Sequence, residues 1–512
     1  MRDSLFTLAG IIDVITSMFL LAVGLGVLTI IVLYVIDITQ TKHAIRRNFP
    51  VIGRLRYLFE HLGQFFRQYF YAQDREELPF NRAERSWVYR AAKGEDNTVA
   101  FGSTLELDKT GTPLFLNGAF PVLDEDAIET AAVTIGPYCR EPYTTRSVFN
   151  VSAMSYGAIS KPAVRALSYG AASSGVWLNT GEGGLSEYHL EGGADLVFQI
   201  GTAKYGVRTA DGNLDDTLFK KVAAEPNVKM IELKLAQGAK PGKGGILPGE
   251  KVTETIAKVR GISVGEDSIS PNRHPDIADN DALLDAIAHM RALGGKPVGI
   301  KTVVGDYESF EALLETINRR GEEYAPDFIT IDSANGGTGA APLSLIDNMG
   351  RPIRQTLPRV VDLLIAHELR DRIKVITSGK LITPVEVAWA LCAGADFVTS
   401  ARGYMMSLGC IQALQCNKNT CPTGITTHDK KLQRGLVPED KAKRVARYAN
   451  NMHKELAIIA HACGVTEPRQ LNRSHCALVQ EDGVAVSLRN LYAGGLEASL
   501  QHHATGVYRR PS

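Results

Sequence analysis

The distribution of apolar and polar positions separates a long apolar run near the N-terminus from a body in which short apolar stretches alternate with amphipathic ones. Eight of these short stretches are β-rich, and they begin at Phe149, Val176, Leu196, Val228, Pro297, Asp327, Lys374 and Asp396. The alternation of strands with helical segments predicts a parallel sheet. Eight such units in about 250 residues have the size of a (β/α)8 TIM barrel, an α/β fold. A doubly wound open sheet is the alternative, but chemistry-bearing residues at nearly all eight strand ends favour the barrel.

The apolar run extends from Val14 to Ile36 and holds 23 residues without a charge. As a helix it would be about 35 Å long, enough to cross a hydrocarbon core of about 30 Å. A cleaved signal peptide has a shorter apolar region that ends in a small-residue site. A buried core helix is rarely uncharged on every face. We therefore expect a single transmembrane helix within residues 1–41.

Charged residues on either side of this run predict its orientation. The segment in front of it carries Arg2 and two aspartates, whereas no acid lies between Lys42 and Glu60 behind it. The basic residues of this segment are Lys42, Arg46, Arg47, Arg54 and Arg56. Basic flanks stay in the cytoplasm. The expectation is therefore a single-pass protein of the cell inner (plasma) membrane whose catalytic domain is cytoplasmic.

Residues 54–70 carry apolar side chains at i, i+3 and i+4 spacing, which is typical of an amphipathic helix. Next to a basic flank, such a helix could lie on the inner leaflet of the membrane. It could equally pack on the soluble body. Both interpretations are open at this stage.

The composition of the chain limits the classes of molecule that it is expected to bind. The chain of 512 residues has 56 Lys and Arg against 56 Asp and Glu, so that it carries no net charge. This balance argues against nucleic acid as a main partner, because such partners require a basic surface. Seven cysteines in this length do not form a disulfide scaffold.

Glycine-rich turns follow the last three strands of the predicted barrel. They are Ser333–Ala340, Ser378–Lys380 and Ser400–Gly403. Barrels commonly bind phosphate with the loops after their seventh and eighth strands, so that we expect a small phosphorylated cofactor here. A dinucleotide fingerprint is not completed, because Pro342 stands where its last glycine would be.

Cationic residues occur at the same predicted end of the barrel. Lys301 lies within the fifth strand, where a buried lysine needs an anionic partner. That partner is either an acid in the core or a negatively charged cofactor or substrate. The long loop 234–249 supplies Gln237, Lys240 and Lys243, and Arg260 follows in the next helix. Such cations suit a dicarboxylate substrate.

Three cysteines lie within twelve residues, at Cys410, Cys416 and Cys421. Their C-x5-C-x4-C spacing differs from the C-x2-4-C of structural zinc sites, although His428 could be a fourth zinc ligand. Thiolates ligate iron–sulfur clusters, and a proline often follows the last of them, as it does here. Three thiolates suit a three-iron cluster, which we favour over zinc and over plain core cysteines.

Taken together, several long motifs resemble the FMN-binding synthase domain of the glutamate synthase family. The motifs occur in one order: MSYGAIS from Met154, NTGEGG from Asn179, LAQGAKPGKGGILPG from Leu235, ISPNRHPDI from Ile269, NGGTGAAPLS from Asn335 and LGCIQALQCNKNTCPTGITTHD from Leu408. The resemblance covers about residues 143–429. It implies a barrel that holds FMN and a [3Fe-4S] cluster ligated by the three cysteines.

The resemblance also implies roles for individual residues. Met154 and Ser155 would contact the flavin, and Lys301 would face its pyrimidine end and stabilise its reduced form. The phosphate would be held by the loops that contain Gly337, Gly339, Ser378, Gly379, Ala401 and Arg402. Gln237, Lys240 and Arg260 match positions that hold 2-oxoglutarate. Glu182 is a candidate handler of protons or ammonia.

The implied reaction is reductive amination of 2-oxoglutarate with ammonia, in which reduced FMN transfers hydride to the α-carbon of the imine and L-glutamate forms. No complete nicotinamide fingerprint appears, so that electrons would come from ferredoxin, a reductase subunit or quinone. We expect no glutaminase domain with an N-terminal cysteine nucleophile, which bacterial members of the resembled family carry. In the loop, Ile246 and Lys243 stand where the resemblance implies a Gln and a Glu.

These departures keep a second hypothesis open, a membrane-bound relay flavoprotein that exchanges electrons with quinone and makes no glutamate. The expected organisation has four parts. They are an anchor (1–41), a juxtamembrane amphipathic and linker region (42–142), the barrel with its cysteine loop (143–430) and a short helical C-terminal extension (431–512).

Overall fold

The computed structural model describes residues 8–492, and the chain separates into two compact units, residues 1–83 and 84–512. Helices of the first unit are α1 (Leu8–Thr39), α2 (Ala44–Asn48) and α3 (Gly53–Phe66), followed by a π-helical turn, Arg67–Tyr71. Within the described residues, Gly10–Thr39 is the one helix long and apolar enough to cross a membrane, with a mean hydropathy of 2.8. The expected N-terminal apolar helix is therefore present.

The described residues of the second unit, 84–492, include fifteen short strands. They are β1 (Pro113–Phe115), β2 (Val133–Ile135), β3 (Tyr143–Thr145), β4 (Phe149–Val151), β5 (Leu178–Asn179), β6 (Leu196–Ile200), β7 (Val228–Lys234), β8 (Ile246–Leu247), β9 (Ser268–Ile269), β10 (Val298–Val303), β11 (Phe328–Asp332), β12 (Lys374–Ser378), β13 (Phe397–Ser400), β14 (Cys476–Val479) and β15 (Ala485–Ser487).

The helices after α3 are α4 (Arg82–Lys93), α5 (Lys161–Ser174), α6 (Glu187–Leu190), α7 (Asp216–Ala223), α8 (Glu254–Arg260), α9 (Asn280–Gly294), α10 (Tyr307–Arg320), α11 (Leu343–Ile346), α12 (Ile353–Ala366), α13 (Pro384–Ala393), α14 (Arg402–Leu408), α15 (Lys430–Gln433), α16 (Pro438–Ala462) and α17 (Leu488–Leu491). Single 3-10 turns lie at Asp124–Asp126, Gly249–Lys251, Glu322–Tyr324 and Pro468–Gln470.

Eight strands close into a parallel barrel in the order β4-β5-β6-β7-β10-β11-β12-β13, and β13 pairs with β4. Each of the eight predicted stretches contains one of these strands, so that the predicted barrel is confirmed. The strands are short and almost wholly buried, as expected of apolar runs covered by helices on the outside. The doubly wound alternative is excluded, because an open sheet has two unpaired edges.

Segments outside the barrel strands cover its lower end and its side. The hairpin of β2 and β3 contributes Ile135 and Tyr143 to a buried cluster with Trp177, Phe328 and Phe397, which lie at or near the N-terminal ends of barrel strands. The long helix α16 packs on α5, α13 and α14. Strand β1 pairs with β14, and β14 pairs with β15. The carboxyl ends of the barrel strands remain the place where polar residues gather.

Candidate active site

A buried carboxylate lies in the barrel interior below the carboxyl ends of the strands. Glu232 of β7 accepts hydrogen bonds from Asn179 Nδ2 at 2.8 Å, from Gln199 Nε2 at 2.6 Å and from Thr330 Oγ1 at 2.5 Å. These donors come from three other strands. A carboxylate in a barrel core is stable only with such partners. This polar layer was not predicted from the sequence.

Lys301 of β10 lies just above this layer and is 5% exposed. Its Nζ is 3.4 Å from Oδ2 of Asp332, the last residue of β11. Burial lowers the pKa of Lys301, but the charges of Asp332, Glu232 and Glu182 outweigh burial, so that the pKa is raised. The ion pair with a core acid, one of the two interpretations of Lys301, is thus present. The lysine is a permanent cation at the mouth of the barrel.

Asp332 also connects two loops, because its side chain accepts hydrogen bonds from Gly238 N at 3.1 Å and from Ser333 N at 3.0 Å. Gly238 belongs to the long loop after β7, and Ser333 begins the glycine-rich loop after β11. Asp332 was not among the predicted site residues. An acid at the last position of an otherwise apolar strand was the available signal.

Glu182 follows β5 and lies among cations. Its Oε1 is 3.1 Å from Nζ of Lys234, which also donates to Oε1 of Gln237 at 3.1 Å. Burial raises the pKa of Glu182, but the charges of Lys234, Lys240 and Arg260 outweigh it, so that the pKa is lowered. The structure therefore brings the candidate base together with Lys240 and Arg260, the two cations among the predicted substrate-binding residues, and adds Lys234, which was not predicted.

Two glycines leave room for this carboxylate. A Cβ at Gly201 would lie 2.5 Å from Glu182 Oε2, and a Cβ at Gly245 would lie 2.7 Å from Oε1. Both distances are shorter than real Cβ contacts. The position of Glu182 therefore depends on the absence of side chains on the two loops beside it.

Lys240 is the cation of this group that is free to bind a ligand. It is 6% exposed, and it forms no salt bridge among the described residues. Burial lowers its pKa, Glu182 opposes this effect, and Lys234 and Lys243 add to it, so that the pKa is lowered. An anionic group that binds here would restore the charge balance of a buried ammonium.

Gln237 and Arg260 are held by the protein itself. Gln237 Nε2 donates to the carbonyl of Gly337 at 2.9 Å. Arg260 donates to Ser268 Oγ at 3.1 Å and to the carbonyl of Tyr156 at 3.3 Å. Its guanidinium also lies over the ring of Tyr205, 5.1 Å from the centroid. Arg260 Nε is buried without a partner in the described part of the chain, so that one donor of this arginine remains available.

The predicted phosphate loops converge at the ends of β11, β12 and β13. A Cβ at Gly337 would lie 2.7 Å from Nε of Arg402, and Arg402 Nη2 donates to the carbonyl of Asn335. Burial lowers the pKa of Arg402 to about 10, although Asp332 and Glu386 oppose the effect. A guanidinium with a pKa this far above neutrality remains charged, as binding of a phosphate requires.

The same loops contain open space and an unpartnered hydroxyl. No described atom lies within 4 Å of a Cβ placed on Gly339. Gly379 has φ +130, and a Cβ there would lie 2.2 Å from Ser333 Oγ, which is buried without a hydrogen-bond partner among the described residues. Ser378 is buried beside it, and Ala401 is the residue that precedes α14. These features fit a cradle for a phosphate-bearing cofactor.

Met154 and Ser155 follow β4, at the same end of the barrel as these loops. Met154 is buried and Ser155 is half-buried. Gly181 has φ +67, and a Cβ there would lie 2.5 Å from the backbone nitrogen of Ser155. The loops after β4 and β5 are therefore in close contact, and both flavin-contacting candidates lie at the predicted end of the barrel.

The three cysteines occupy the loop after α14. Burial raises the pKa of the Cys410 thiol to about 12, and Cys416 and Cys421 add to the shift. The three thiols therefore influence one another. Within residues 8–492, however, no group of three or more Cys, His, Asp or Glu side chains is arranged to hold a metal ion. In the described residues, the cysteine loop therefore shows no preformed site for an iron–sulfur cluster.

The zinc alternative finds no support at His428, because His428 Nε2 is hydrogen-bonded to the carbonyl of Gly157 at 2.8 Å. Burial lowers the pKa of His428, although the hydrogen bond to Gly157 opposes this effect.

A buried lysine that was not predicted contacts the cysteine loop. Lys251 Nζ donates to the carbonyls of Cys416 and Thr426, both at 2.7 Å.

The chain matches a family model and several known proteins. Residues 119–466 match the family model described as a conserved region in glutamate synthase. The chain is 40% identical over 498 residues to the glutamate synthase large subunit-like protein YerD of Bacillus subtilis (strain 168), and the match covers 90% of this chain and 94% of that protein.

Two further relatives cover less of the chain. An archaeal-type glutamate synthase (NADPH) of Dehalococcoides mccartyi is 33% identical over 350 residues, which are 68% of this chain and 66% of that enzyme. A glutamate synthase large subunit-like protein of Rhizobium meliloti (strain 1021) is 29% identical over 372 residues, which are 69% of this chain and 80% of that protein. The chain belongs to the glutamate synthase family.

Proposed function

We propose that this protein is an oxidoreductase that converts 2-oxoglutarate and ammonia into L-glutamate with electrons from a separate donor. The observation that carries the proposal is the group of cations at the barrel mouth, in which buried Lys240 has no salt bridge among the described residues and Glu182 is ionised beside it. Membership of the glutamate synthase family supports the same reaction class.

The substrate has two carboxylates, and the site has two cations with donors to offer. Lys240 would pair with one carboxylate through its ammonium group, and the remaining donor of Arg260 would contribute to holding the other. Gln237 keeps the loop after β7 in place through Gly337. Two cations near one site suit a substrate with two negative charges.

Glu182 would handle the protons of ammonia. Its lowered pKa keeps it ionised at neutral pH, so that it can attract ammonium and accept a proton as the nitrogen attacks the ketone. The reaction consumes one 2-oxoglutarate, one ammonium, two electrons and two protons, and releases one glutamate and one water. The carbon–oxygen double bond of the ketone is replaced by a carbon–nitrogen bond, and its oxygen leaves as the water.

The residues at the strand ends fit FMN as the cofactor. The open loop at Gly339, the unpartnered hydroxyl of Ser333 and the guanidinium of Arg402 suit its phosphate, together with Gly337, Ser378, Gly379 and Ala401. Met154 and Ser155 would lie against the flavin, and Lys301 would add positive charge beside it. Bound FMN would supply the two electrons for reduction of the imine carbon.

A [3Fe-4S] cluster on Cys410, Cys416 and Cys421 is a further part of the proposal. It is supported by the spacing of the three thiols in one loop. Because the described residues show no formed metal-binding group, no step of the reaction depends on the cluster. The electron donor is proposed to be ferredoxin, a reductase subunit or quinone.

The proposed location is the inner (plasma) membrane, crossed once by α1, with the barrel in the cytoplasm. The apolar helix Gly10–Thr39 and the basic residues after it support this placement. The organisation proposed for the chain is an anchor (1–41), a linker region (42–142), the barrel with its cysteine loop (143–430) and a C-terminal extension (431–512).

The decisive experiment mixes reduced protein anaerobically with 2-oxoglutarate and ammonium while flavin absorbance is followed. We expect reoxidation that requires both compounds, and glutamate as the product. Lys240→Ala should weaken 2-oxoglutarate binding about 30-fold or more, because loss of one partner of a buried charge pair costs about 2–5 kcal/mol.

The matched control is Lys258→Ala, since Lys258 lies exposed on α8, has no proposed role and should leave affinity unchanged. If the reduced wild-type protein ignores 2-oxoglutarate with ammonium but is rapidly reoxidised by a quinone analogue, the protein is an electron relay and the glutamate assignment is wrong.

A further inference from the structure

A buried ion pair joins the end of the apolar helix to the next amphipathic helix. Asp37 lies in the last turns of α1 and is fully buried. Its carboxylate is 2.7 Å from Arg54 Nη2, and it accepts a second hydrogen bond from Arg54 Nε at 2.9 Å. The backbone nitrogen of Val51 donates to it at 2.9 Å. One side chain of α1 thus holds both the turn before α3 and the first turn of α3.

The turn that Asp37 holds is sterically demanding. Val51 has φ +65, a region that a β-branched residue rarely adopts. A Cβ at Gly53 would lie 2.8 Å from the carbonyl oxygen of Ile45, so that α3 starts in close contact with α2. Such a backbone persists only where surrounding contacts determine it. We call residues 37–57 the elbow.

Contacts of the Tyr57 ring further stabilise the elbow. The ring of Tyr57 lies 5.1 Å from the ring of His43, and the guanidinium of Arg46 lies 4.7 Å from the centre of the Tyr57 ring. Gln40 adds hydrogen bonds to the carbonyls of Asp37 and His43. The first turn of α3 therefore has a fixed position beside the C-terminal end of α1.

The outer face of α3 is apolar and uncovered. Residues that are between 44% and 76% exposed form a stripe at i, i+3, i+4 spacing, which the π-helical turn extends: Leu55, Leu58, Phe59, Phe66, Tyr69, Phe70 and Tyr71. Arg56 and Arg67 are exposed beside it. We call these seven residues the stripe. A stripe rich in aromatic rings and flanked by arginines is typical of a helix that lies in a membrane interface.

We infer that the elbow holds α3 in the lipid–water boundary of an anionic bilayer, with the stripe inserted among the acyl chains. This inference rests on the proposed membrane-spanning role of α1. The uncharged run of α1 ends at Ile36, so that Asp37 marks the boundary, and the elbow ties the start of α3 to that level. Exposed Lys42, Arg47 and Arg56 face the anionic headgroups. The chain thus contacts the bilayer through two helices at a fixed junction.

Photo-crosslinking in the full-length protein tests this inference. Leu25→p-benzoylphenylalanine, Phe59→p-benzoylphenylalanine and Glu60→p-benzoylphenylalanine place the probe in α1, in the stripe and on the opposite face of α3. The variants are reconstituted in vesicles of phosphatidylcholine with 30% phosphatidylglycerol, irradiated and analysed by mass spectrometry. We expect acyl-chain adducts at positions 25 and 59 and at least tenfold fewer at position 60.

Removal of the ion pair provides the second readout. Asp37→Asn should reduce the lipid adducts at position 59 about fivefold, and Asp13→Asn, which removes a charge near the other end of α1, should not. Adducts at position 59 to peptides of residues 84–492 or to a second copy, with lipid adducts retained at position 25, would overturn the inference and leave the anchor intact. Loss of lipid adducts at position 25 would instead refute the anchor itself.

Discussion

The ammonium group of Lys301 lies 3.4 Å from a carboxylate oxygen of Asp332, and both side chains are almost completely buried at the mouth of the barrel. The pair joins β10 to β11, and Asp332 further holds the backbone of Gly238. This contact helps to keep Lys301 positively charged beside the glycine-rich loop after β11, because a buried lysine without a counter-charge would lose its proton.

We therefore predict that Asp332→Asn lowers the free energy of unfolding by about 3–5 kcal/mol, since it removes the carboxylate that forms the ion pair with the buried charge of Lys301. Urea unfolding measures the change. The control is Asp347→Asn, at an exposed aspartate in the loop that follows β11, which should stay within about 0.5 kcal/mol of the wild type. A loss below 1 kcal/mol for Asp332→Asn would show that the pair does not hold the mouth together.

The close packing around Glu182 gives a second prediction. Gly201→Ala places a methyl group within 2.6 Å of Glu182 Cβ, which sits close to the backbone and moves only with it. We expect a loss of about 1–3 kcal/mol in the free energy of unfolding and a fall in ammonia-dependent turnover, because the ion pair with Lys234 is displaced.

Gly435→Ala is the matched substitution, since a Cβ there meets its nearest atom at an ordinary 3.8 Å. It should change neither quantity. Equal effects of the two alanines would mean that close packing around Glu182 has no special importance.

A third prediction concerns pH. Burial raises the pKa of Glu386, in the first turn of α13, to about 7; the neighbouring Glu84 adds to the shift, whereas backbone hydrogen bonds from Ile382 and Thr383 and the charge of Arg354 oppose it. The folded state therefore binds this proton more tightly than the unfolded state. Stability should fall as pH rises from 4.5 to about 7, by about 3 kcal/mol for this group.

Glu386→Gln, which retains an acceptor for the backbone, should flatten this part of the stability profile. Chemical unfolding at pH 5, 6, 7 and 8 gives the comparison, with Glu439→Gln in the exposed first turn of α16 as the control. If the difference between wild type and Glu386→Gln does not change with pH, Glu386 keeps an ordinary acidity.

The fourth prediction concerns iron. Anaerobically purified protein should contain about three iron atoms per chain, one for each thiolate of the loop. Cys416→Ala should abolish iron binding, whereas Cys476→Ala, at a buried cysteine of β14, should retain it. Metal analysis that finds zinc and no iron in wild-type protein would rule out the cluster.

The sequence predicted the barrel well because strand–helix alternation is a local signal that needs no knowledge of partners. All eight strands begin within two residues of the predicted positions. The glycine turns after β11, β12 and β13 were also visible, since a barrel brings all strand ends to one face.

Long-range pairs were not accessible in this way. Asp332 and Lys301 are separated by 31 positions, and Glu182 and Lys234 by 52, so that no periodicity links them. Lys234 was overlooked because a polar residue at a strand end is usually solvated. Asp37 was not predicted to have a role, since nothing in the sequence indicates that Arg54 pairs with it.

The hydrogen bond from Gln237 to the carbonyl of Gly337 has a consequence for how this family can diversify. It links the loop proposed to hold the substrate to the loop proposed to hold the cofactor phosphate, so that a change at position 237 should alter both. New substrate preferences should therefore arise at positions of the loop that point away from this contact. Lys243 and Ile246 are exposed positions of this loop that take no part in the hydrogen bond.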